Sequence, residues 1–422
     1  MHRTQLLSWG AFLLAIPLLG CSPRSPLQPD PVDPIQERQL APEVAADAVP
    51  LVEANNRFAF DLYARLRVQG GNLFLSPFSV STAFGMTYAG AASQTAEEMA
   101  NVFHFPLPQE RLHPTFGALV RSLDRGIGFG GYELRVANRT WGQQGFPFRD
   151  EFVRITREDY GAEMQQADFA QSAESARLNI NAWVAERTND RIRDLFPQGT
   201  IDSYTRLVLA NAIYFKGLWA TQFDRAKTQD ALFYLSATNA VPVPTMKREG
   251  KARIASVSGA TMLELAYKGG DLSMLIVLPH RFDGLPELEA SLTSDALRDA
   301  IAALNETPSE IPIAIPRFRI ESKFMLGRTL SDMGMPSAFQ AGAADFSGID
   351  GRQDLHIAAA IHQSFVEVNE EGTEAAAATG VSVGATSLPS VSFIANRPFL
   401  FVIHDNVTGS ILFMGRLTDP RG

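Results

Sequence analysis

The sequence of 422 residues has few of the side chains that build cross-links and metal cages. It contains a single cysteine, Cys21, which excludes an internal disulfide framework and a cysteine-based zinc cage. Acidic residues outnumber basic ones by 46 to 37, and no basic patch stands out, which argues against nucleic acid as a partner. With 45% hydrophobic and 20% charged residues, the chain has the composition of a folded protein, and this excludes wholesale disorder.

The sequence also lacks the motifs of common catalytic sites. Its seven histidines form neither a His-x-x-x-His pair nor a His-Glu-x-x-His motif, so no helical zinc site is expected. No Gly-x-Ser-x-Gly elbow, Walker loop or Gly-x-Gly-x-x-Gly fingerprint follows a predicted strand. We therefore expect no metal, no cofactor and no enzymatic activity in this chain.

The N-terminal twenty residues have the pattern of a signal peptide. Arg3 precedes an apolar run from Leu6 to Leu19 that is too short to span a bilayer comfortably. The run ends in LLGCS, which resembles a bacterial lipobox, the motif whose cysteine is lipidated and becomes the first mature residue. Acyl chains on Cys21 would hold the protein firmly, since each buried methylene contributes about 0.8 kcal/mol. Ordinary secretory cleavage, with Cys21 as an incidental thiol, is the alternative.

Residues 22–50 contain seven prolines and are expected to form an extended tether that cannot pack a core. The predicted organisation is a signal peptide at 1–20, a lipidated tether at 21–50 and one folded domain at 51–422. Ser22, instead of aspartate, is typical of sorting to the outer membrane of a Gram-negative cell. We therefore expect an extracytoplasmic protein anchored by lipid to the cell envelope.

From about residue 51 the chain has no second linker and no internal repeat. Helical periodicity opens this part, because Ala54, Phe58, Leu62 and Leu66 share a face. Further helices are predicted at 78–103, 149–160 and 174–195. Largely apolar runs predict strands at 207–215, 261–267, 273–278, 311–320, 363–369, 399–404 and 410–415. Helices followed by strands favour an α+β fold with large sheets.

An unusual segment follows the predicted strand that ends at Asn369. After Glu370-Glu371-Gly372, every second residue from Thr373 to Val383 is small or β-branched and uncharged. The intervening residues carry one charge, on Glu374, and are otherwise very small. Because side chains alternate along a strand, such a segment could slide between two strands with little obstruction. A flexible loop with no special role is the alternative.

Several motifs resemble those of the serpin family, and the likeness extends over nearly all of residues 51–420. The segment EEGTEAAAAT at 370–379 is similar to the hinge of inhibitory serpins almost letter for letter. Other segments that resemble serpin motifs follow in the expected order, namely NLFLSPFS at 72–79, NAIYFKGLW at 211–219, NRPFLF at 396–401 and FMGR at 413–416.

This resemblance implies a serpin fold with three β-sheets, about nine helices and an exposed reactive loop at about 371–392. In this family a serine or cysteine protease attacks the loop as an acyl-enzyme, and the cut loop enters the main sheet as a new central strand, which traps the protease. Thr373 is expected to be the first residue that buries its side chain on insertion. The hinge assigned by the resemblance comprises Glu370, Glu371, Gly372, Thr373, Glu374, Ala375, Ala376, Ala377 and Ala378.

Other functional positions are implied by the same resemblance. Ser76, Ser79, Asn211 and His362 match the polar cluster, called the shutter, where the central strands of the main sheet part. Trp219 matches the aromatic residue of the breach, the place where the loop first enters the sheet. For His362, a satisfied core histidine without such a role is the alternative.

Counting from the hinge, with Thr373 as the fourteenth residue before the cut, places the scissile bond at Thr386–Ser387, to within one residue. No Lys or Arg lies between Arg352 and Arg397, so the buried carboxylate of a trypsin-like pocket would find no partner. The small residues 383–387 suit elastase-like or subtilisin-like serine proteases, and papain-like cysteine proteases are a second possibility. We expect a monomeric inhibitor; a non-inhibitory serpin acting as a binding protein or chaperone is the alternative.

Overall fold

The computed structural model describes residues 42–123, 131–257, 259–304, 307–373 and 392–422. These residues contain ten α-helices, which are α1 Pro42–Leu66, α2 Pro77–Tyr88, α3 Ser93–Phe103, α4 Gln109–Leu123, α5 Asp150–Glu158, α6 Phe169–Arg187, α7 Leu285–Ser291, α8 Ser294–Ala302, α9 Leu326–Met333 and α10 Ser347–Asp350.

Fifteen strands lie in the same described residues. They are β1 Leu73–Leu75, β2 Tyr132–Gln143, β3 Gln165–Ala167, β4 Leu207–Leu218, β5 Gln229–Ser236, β6 Asn239–Val257, β7 Ala260–Ala266, β8 Leu272–Pro279, β9 Ser309–Pro316, β10 Phe318–Met325, β11 Ile361–Val368, β12 Gly372–Thr373, β13 Phe393–Ile394, β14 Phe399–Asp405 and β15 Ile411–Leu417.

One sheet has six strands in the order β10-β11-β12-β4-β2-β3. Its central strands are largely buried along their whole length, as expected for strands covered on both faces. β4 and β11 run parallel and pair directly where 211–214 face 362–365. No short turn joins the two strands, as expected for a parallel pair, which needs a crossover connection.

The remaining strands form one hydrogen-bonded set through the long strand β6. Residues 245–252 of β6 pair with β9, whereas residues 253–257 pair with β7. β6 thus belongs to two sheets, one with β5, β9 and β13 and one with β7, β8, β14, β15 and β1. Counted in this way the described strands form the three expected sheets, and the predicted α+β fold is confirmed.

Helix α1 begins at Pro42, nine residues before the expected start of the folded domain. Residues 42–50 are therefore helical and do not belong to an extended tether, and Ala48 is buried against the core. Pro50 lies inside the helix, although proline removes a backbone donor. Packing of the buried face that contains Leu51, Ala54 and Phe58 outweighs this local preference.

Two other predictions joined elements that the structure separates. The helix predicted at 78–103 is two helices, α2 and α3, divided at 89–92, and the strand predicted at 311–320 is divided at Arg317 into β9 and β10. Helix α6 begins at Phe169 and ends at Arg187, earlier than the predicted 174–195. The breaks occur where the chain must change direction between packed elements, which a continuous apolar pattern does not reveal.

The main apolar core contains buried residues of helices α1 to α4 and of strands from all three sheets. Every residue of α2 is buried, and the hydroxyls of Ser81, Thr82 and Thr87 donate hydrogen bonds to partners within the core. A smaller apolar cluster lies between α6 and the six-stranded sheet, with Ile180 and Val184 of the helix packed against Ala210, Ala212 and Ile361. Among the described helices, none is long and apolar enough to cross a membrane.

Candidate functional site

The candidate site is the seam between β4 and β11 in the six-stranded sheet. At one end the two strands pair directly. At the other end Gly372 and Thr373 form β12 between them, with Thr373 paired to Val368 of β11 and to Gly217 of β4. Two residues of the predicted hinge, Gly372 and Thr373, therefore already lie between the two strands in the intact protein.

Thr373 is fully buried in this arrangement. Its hydroxyl lies 2.7 Å from the hydroxyl of Tyr267, whose pKa is raised by burial, so that the tyrosine keeps its proton and shares a hydrogen bond. The expectation that Thr373 becomes buried only on insertion is therefore wrong. The side chain is small enough to fit under Tyr267 before any cleavage, and the paired hydroxyls remove the cost of burying them.

Gly372 is required by the close approach of two strands. A Cβ atom at this position would lie 1.9 Å from the carbonyl oxygen of Gly217, which belongs to the backbone of β4 and cannot move aside easily. Glycine therefore allows β12 to lie against β4 where any other residue would push the strands apart.

Trp219 lies at the end of the seam that contains β12 and makes contacts there through both its ring and its backbone. The indole stacks on Tyr267 with ring centroids 4.7 Å apart, and its Nε1 donates to the carbonyl oxygen of Asn369 at 2.9 Å. Its backbone N–H donates to the carbonyl oxygen of Glu371, also at 2.9 Å. Trp219 thus fixes the turn that leads from β11 into β12.

The two glutamates before β12 are buried and paired with arginines. Glu370 accepts hydrogen bonds from Arg317, at 2.7 Å to Nε, and from the hydroxyl of Thr228. Burial opposes ionisation of Glu370, but these hydrogen bonds outweigh it and hold the pKa of this carboxyl below its usual 4.5. Glu371 accepts from Arg225 at 2.8 Å. Both hinge carboxylates are thereby anchored outside the sheet.

The four shutter residues lie together behind the directly paired end of the seam. Asn211 donates to the hydroxyl of Ser79 at 2.6 Å, and the backbone N–H of Ser79 donates to the hydroxyl of Ser76 at 3.2 Å. His362 Nδ1 lies 2.9 Å from Asn211 Oδ1, and its Nε2 accepts from the backbone N–H of Ser76 at 3.0 Å. One network therefore joins β4, β11 and the start of α2.

These contacts determine the protonation of His362. Nε2 accepts a hydrogen bond, so the ring proton is on Nδ1 and is donated to Asn211. Complete burial lowers the pKa of His362 to about 3, and the imidazole is neutral at physiological pH. A charged ring would lose the bond from Ser76, because Nε2 could then only donate.

Several predicted positions lie outside the described residues. They are Cys21, Glu374, Ala375, Ala376, Ala377, Ala378, Thr386 and Ser387. In the described part of the chain, no group of three or more His, Cys, Asp or Glu side chains is placed to hold a metal ion.

Sequence reasoning missed the residues that hold the hinge in place. Tyr267, Arg317, Arg225 and Thr228 contact the hinge across separations of 53 to 146 residues. No local pattern marks them, because each is an ordinary strand or turn residue until the sheets are assembled. Asn138, which accepts from Asn211 of the shutter at 2.7 Å, was missed for the same reason.

Comparison with known proteins agrees with this geometry. The profile of the serpins, described as serine protease inhibitors, matches residues 53–420. Human leukocyte elastase inhibitor is 39% identical over 380 residues, covering 88% of this chain and 99% of that protein. Mouse antithrombin-III is 40% identical over 395 residues, covering 90% of this chain and 84% of that protein. The chain belongs to the serpin family, as its motifs predicted.

Solved structures show the same fold. Uncleaved ovalbumin matches with a TM-score of 0.79 at 28% identity, covering 88% of this chain and 100% of that one. Serpin48 of the insect Tenebrio molitor matches with a TM-score of 0.76 at 32% identity, covering 87% of this chain and 98% of that one. A thyroxine-binding globulin in complex with thyroxine matches with a TM-score of 0.78 at 29% identity, covering 87% of this chain and 99% of that one. The expected serpin fold is therefore confirmed.

Proposed function

We propose that this protein inhibits proteases as a suicide substrate, by inserting its cleaved reactive loop into the seam between β4 and β11. The observation that carries the proposal is β12, because Thr373 already pairs with both β4 and β11, and Gly372 before it pairs with β4. Residues 374–383 that would follow are small or β-branched, apart from Glu374. They could extend this strand with little obstruction from side chains.

Insertion would proceed by exchanging one set of strand pairs for two. The direct pairing of 211–214 with 362–365 must break, and each strand then pairs with the incoming loop. The loop gains backbone hydrogen bonds on both sides, which makes the inserted state lower in free energy. A protease attached as an acyl-enzyme would be carried along with the loop before it can hydrolyse the bond.

The proposed targets are elastase-like or subtilisin-like serine proteases, with cleavage at Thr386–Ser387. The sequence around this bond is VGATS, which offers no cation to a trypsin-like pocket and no large ring to a deep aromatic one. Similarity to a leukocyte elastase inhibitor agrees with this preference. Papain-like cysteine proteases are the second class of target.

A non-inhibitory serpin that binds a partner is the second candidate function. It is favoured by similarity to the thyroxine-binding globulin complex. The hinge argues against a non-inhibitory function, because residues 375–378 are all alanine and include no bulky residue and no proline. An obstructed hinge would be expected if insertion had no role.

Incubation with a panel of proteases tests the proposal. We expect a complex with an elastase-like or subtilisin-like enzyme that survives boiling in detergent, and no stable complex with trypsin. Mass spectrometry of the released C-terminal peptide should find Ser387, or a residue next to it, at the new N-terminus. Clean cleavage without any complex across the panel would contradict inhibition and favour the binding protein.

The second part of the proposal concerns location. We infer a bacterial lipoprotein anchored through Cys21 to the outside of the cell envelope, supported by the LLGCS motif and the short apolar run before it. Cys21→Ser should remove the protein from the membrane fraction and abolish the incorporation of labelled fatty acid. Unchanged labelling in this variant would contradict the anchor and leave the serpin assignment intact.

A further inference from the structure

A pair of aspartates lies in the turn between α10 and β11. Asp350 is the last residue of α10, and Asp354 follows it four residues later. Gly351 adopts the left-handed conformation with φ 83° and reverses the chain after the helix, and its N–H donates to the carbonyl oxygen of Ser347 at 2.8 Å. This turn brings the two carboxyl groups within hydrogen-bonding reach of each other. The contacts of hinge and shutter described above involve neither aspartate.

Asp350 is buried, and only one of its two carboxyl oxygens has a hydrogen-bond donor. The residue is 8% exposed. Its Oδ1 accepts a hydrogen bond from the backbone N–H of Arg352 at 2.8 Å. Its Oδ2 is enclosed and accepts no hydrogen bond from any described residue. A buried carboxylate oxygen without a donor is costly, so binding of a positive charge at Oδ2 would be favourable.

The charged groups around Asp350 do not neutralise it. Burial raises the pKa of this carboxyl, and the charge of Asp354 and the contact between the two carboxyls raise it further. The charge of Arg352 acts in the opposite direction, but its side chain forms no ion pair with either aspartate. Arg149, the other cation at this helix, donates to the carbonyl oxygen of Ser347. Aspartates are anions at neutral pH, so two negative charges lie side by side, one of them buried.

Calcium is the cation that suits these groups best. Ca²⁺ binds carboxylates together with amide and main-chain carbonyl oxygens and completes its shell with water. Asp350 and Asp354 have the spacing of positions 1 and 5 in the calcium loop of an EF-hand, although Arg352 occupies position 3 here. Gln353 lies between them in the chain. Its Nε2 donates to Asp345 at 3.0 Å, which leaves its Oε1 available as an oxygen ligand.

We propose that Asp350 and Asp354 bind a calcium ion, and that amide or main-chain oxygens and water complete its shell. Two carboxylates are fewer than the groups of three or more that are absent from the described residues, so we expect the affinity of a weak extracellular site, about 10⁻⁴ to 10⁻³ M. Asp354 is exposed and gives the ion access from solvent. The bound ion would fix the turn that leads into β11 and stabilise the folded protein. The proposal does not depend on protease inhibition.

Isothermal titration of the full chain with calcium chloride tests the site. The wild type should bind one ion with a dissociation constant of about 10⁻⁴ to 10⁻³ M. Asp350→Asn should weaken binding at least about tenfold, because the amide keeps the size of the side chain and removes the charge from the buried oxygen. Asp283→Asn is the matched control, since Asp283 also precedes a glycine but is exposed and paired with Arg281. Its affinity should stay within about twofold of the wild type.

Thermal melting provides a second readout. At a calcium concentration about tenfold above the dissociation constant, the midpoint of the wild type should rise by about 3 °C. Magnesium chloride at the same ionic strength should raise it by about 1 °C or less, because Mg²⁺ demands a stricter geometry and gives up its water reluctantly. Asp354→Asn should abolish the calcium shift and keep the melting temperature of the calcium-free wild type, since this side chain is exposed.

Three results would overturn the calcium site. The first is the absence of both binding heat and a melting shift up to about 10 mM calcium. The second is equal affinity in the wild type, Asp350→Asn and Asp354→Asn, which would place the ion elsewhere. The third is a midpoint that calcium does not change but that rises on acidification from pH 7 to pH 5, which would show that the two carboxyls share a proton. If Asp350→Asn does not fold, the exposed Asp354→Asn decides.

Discussion

At the scale of single residues, Thr373 determines whether the loop can continue into the sheet. Its side chain is buried against Tyr267. Because this side chain is already buried in the intact protein, an arginine there would be an unpaired buried cation that costs about 3–5 kcal/mol. Thr373→Arg would therefore keep β12 out of the seam before cleavage and oppose its return on insertion. We expect this variant to be cleaved by a target protease but to form no detergent-stable complex, as seen by gel electrophoresis.

The control for this substitution is Thr373→Val, which keeps the shape and removes only the hydroxyl. It should still trap protease, with at most a modest increase in the fraction cleaved without trapping. Trapping by Thr373→Arg at the wild-type level would show that the seam does not accept the loop.

Glu370 offers a second test at this scale. Glu370→Ala removes the partner of Arg317 and Thr228, and since Arg317 is 42% exposed we expect a loss of about 1–3 kcal/mol in the free energy of unfolding at pH 7. Glu158→Ala, which breaks an exposed pair with Arg154, should cost much less, because solvent screens that pair. Equal losses in the two variants, measured by denaturant titration, would contradict a special role for the hinge carboxylate.

The pH dependence of the Glu370 contribution follows from its lowered pKa. The folded state binds fewer protons at this carboxyl than the unfolded state does, so the stabilisation is complete above the ordinary value of 4.5 and is lost as the pH falls below it. The difference between the wild type and Glu370→Ala should therefore be full at pH 7 and shrink below pH 4.5.

At the scale of elements, the shutter joins two strands and a helix through one neutral histidine. Burial lowers the pKa of His362 to about 3, whereas an unfolded imidazole takes up a proton near pH 6.5. The unfolded state thus binds more protons between these values, and the free energy of unfolding must fall as the pH decreases through this window. Above pH 6.5 the imidazole is neutral in both the folded and the unfolded state, so His362 adds nothing to the change of the free energy of unfolding with pH.

His362→Gln tests the argument through the slope of stability against pH. Between pH 7 and pH 5 the wild type should lose roughly 2 kcal/mol more than the variant, at about 1.4 kcal/mol per pKa unit. His113 and His404, whose pKa values burial lowers to about 4, keep some slope in both proteins. The same loss in wild type and variant, measured by denaturant titration, would show that His362 is not the titrating group.

At the scale of the whole molecule, the intact protein should be less stable than the cleaved one. A ten-residue strand between β4 and β11 adds backbone hydrogen bonds on both edges, at about 1 kcal/mol each or less. With roughly 2 °C per kcal/mol for a protein of this size, the thermal midpoint should rise by about 20 °C after loop cleavage. A nick in an ordinary loop adds no strand and should not stabilise the fold.

Differential scanning calorimetry before and after limited cleavage decides this point, with the cut position checked by mass spectrometry. A cleaved form that melts at the same temperature as the intact protein, or earlier, would exclude insertion. Thr373→Arg provides the internal control, because its cleaved form should gain little or no stability.

The sequence by itself determined the family, the α+β class and the position of most strands. Long apolar runs are sufficient for strands covered on both faces, and they predicted β4, β7, β8, β11, β14 and β15 to within a few residues. The resemblance also assigned a hinge at 370–378, of which residues 370–373 lie in the described part of the chain. The four shutter residues were found by motif, and the structure places them within hydrogen-bond distance of one another.

Only the tertiary structure determined the features that depend on contacts between residues far apart in the sequence. The burial of Thr373 in the intact chain depends on Tyr267, 106 residues away, and on the close approach of Gly217 to Gly372. Helix α1 extends back to Pro42 because its buried face packs against the core, which outweighs the local preference of Pro50. The division of β6 between two sheets is likewise tertiary, because one continuous strand pairs with β9 along one part and with β7 along another, and this register is set by the packing of the whole sheet.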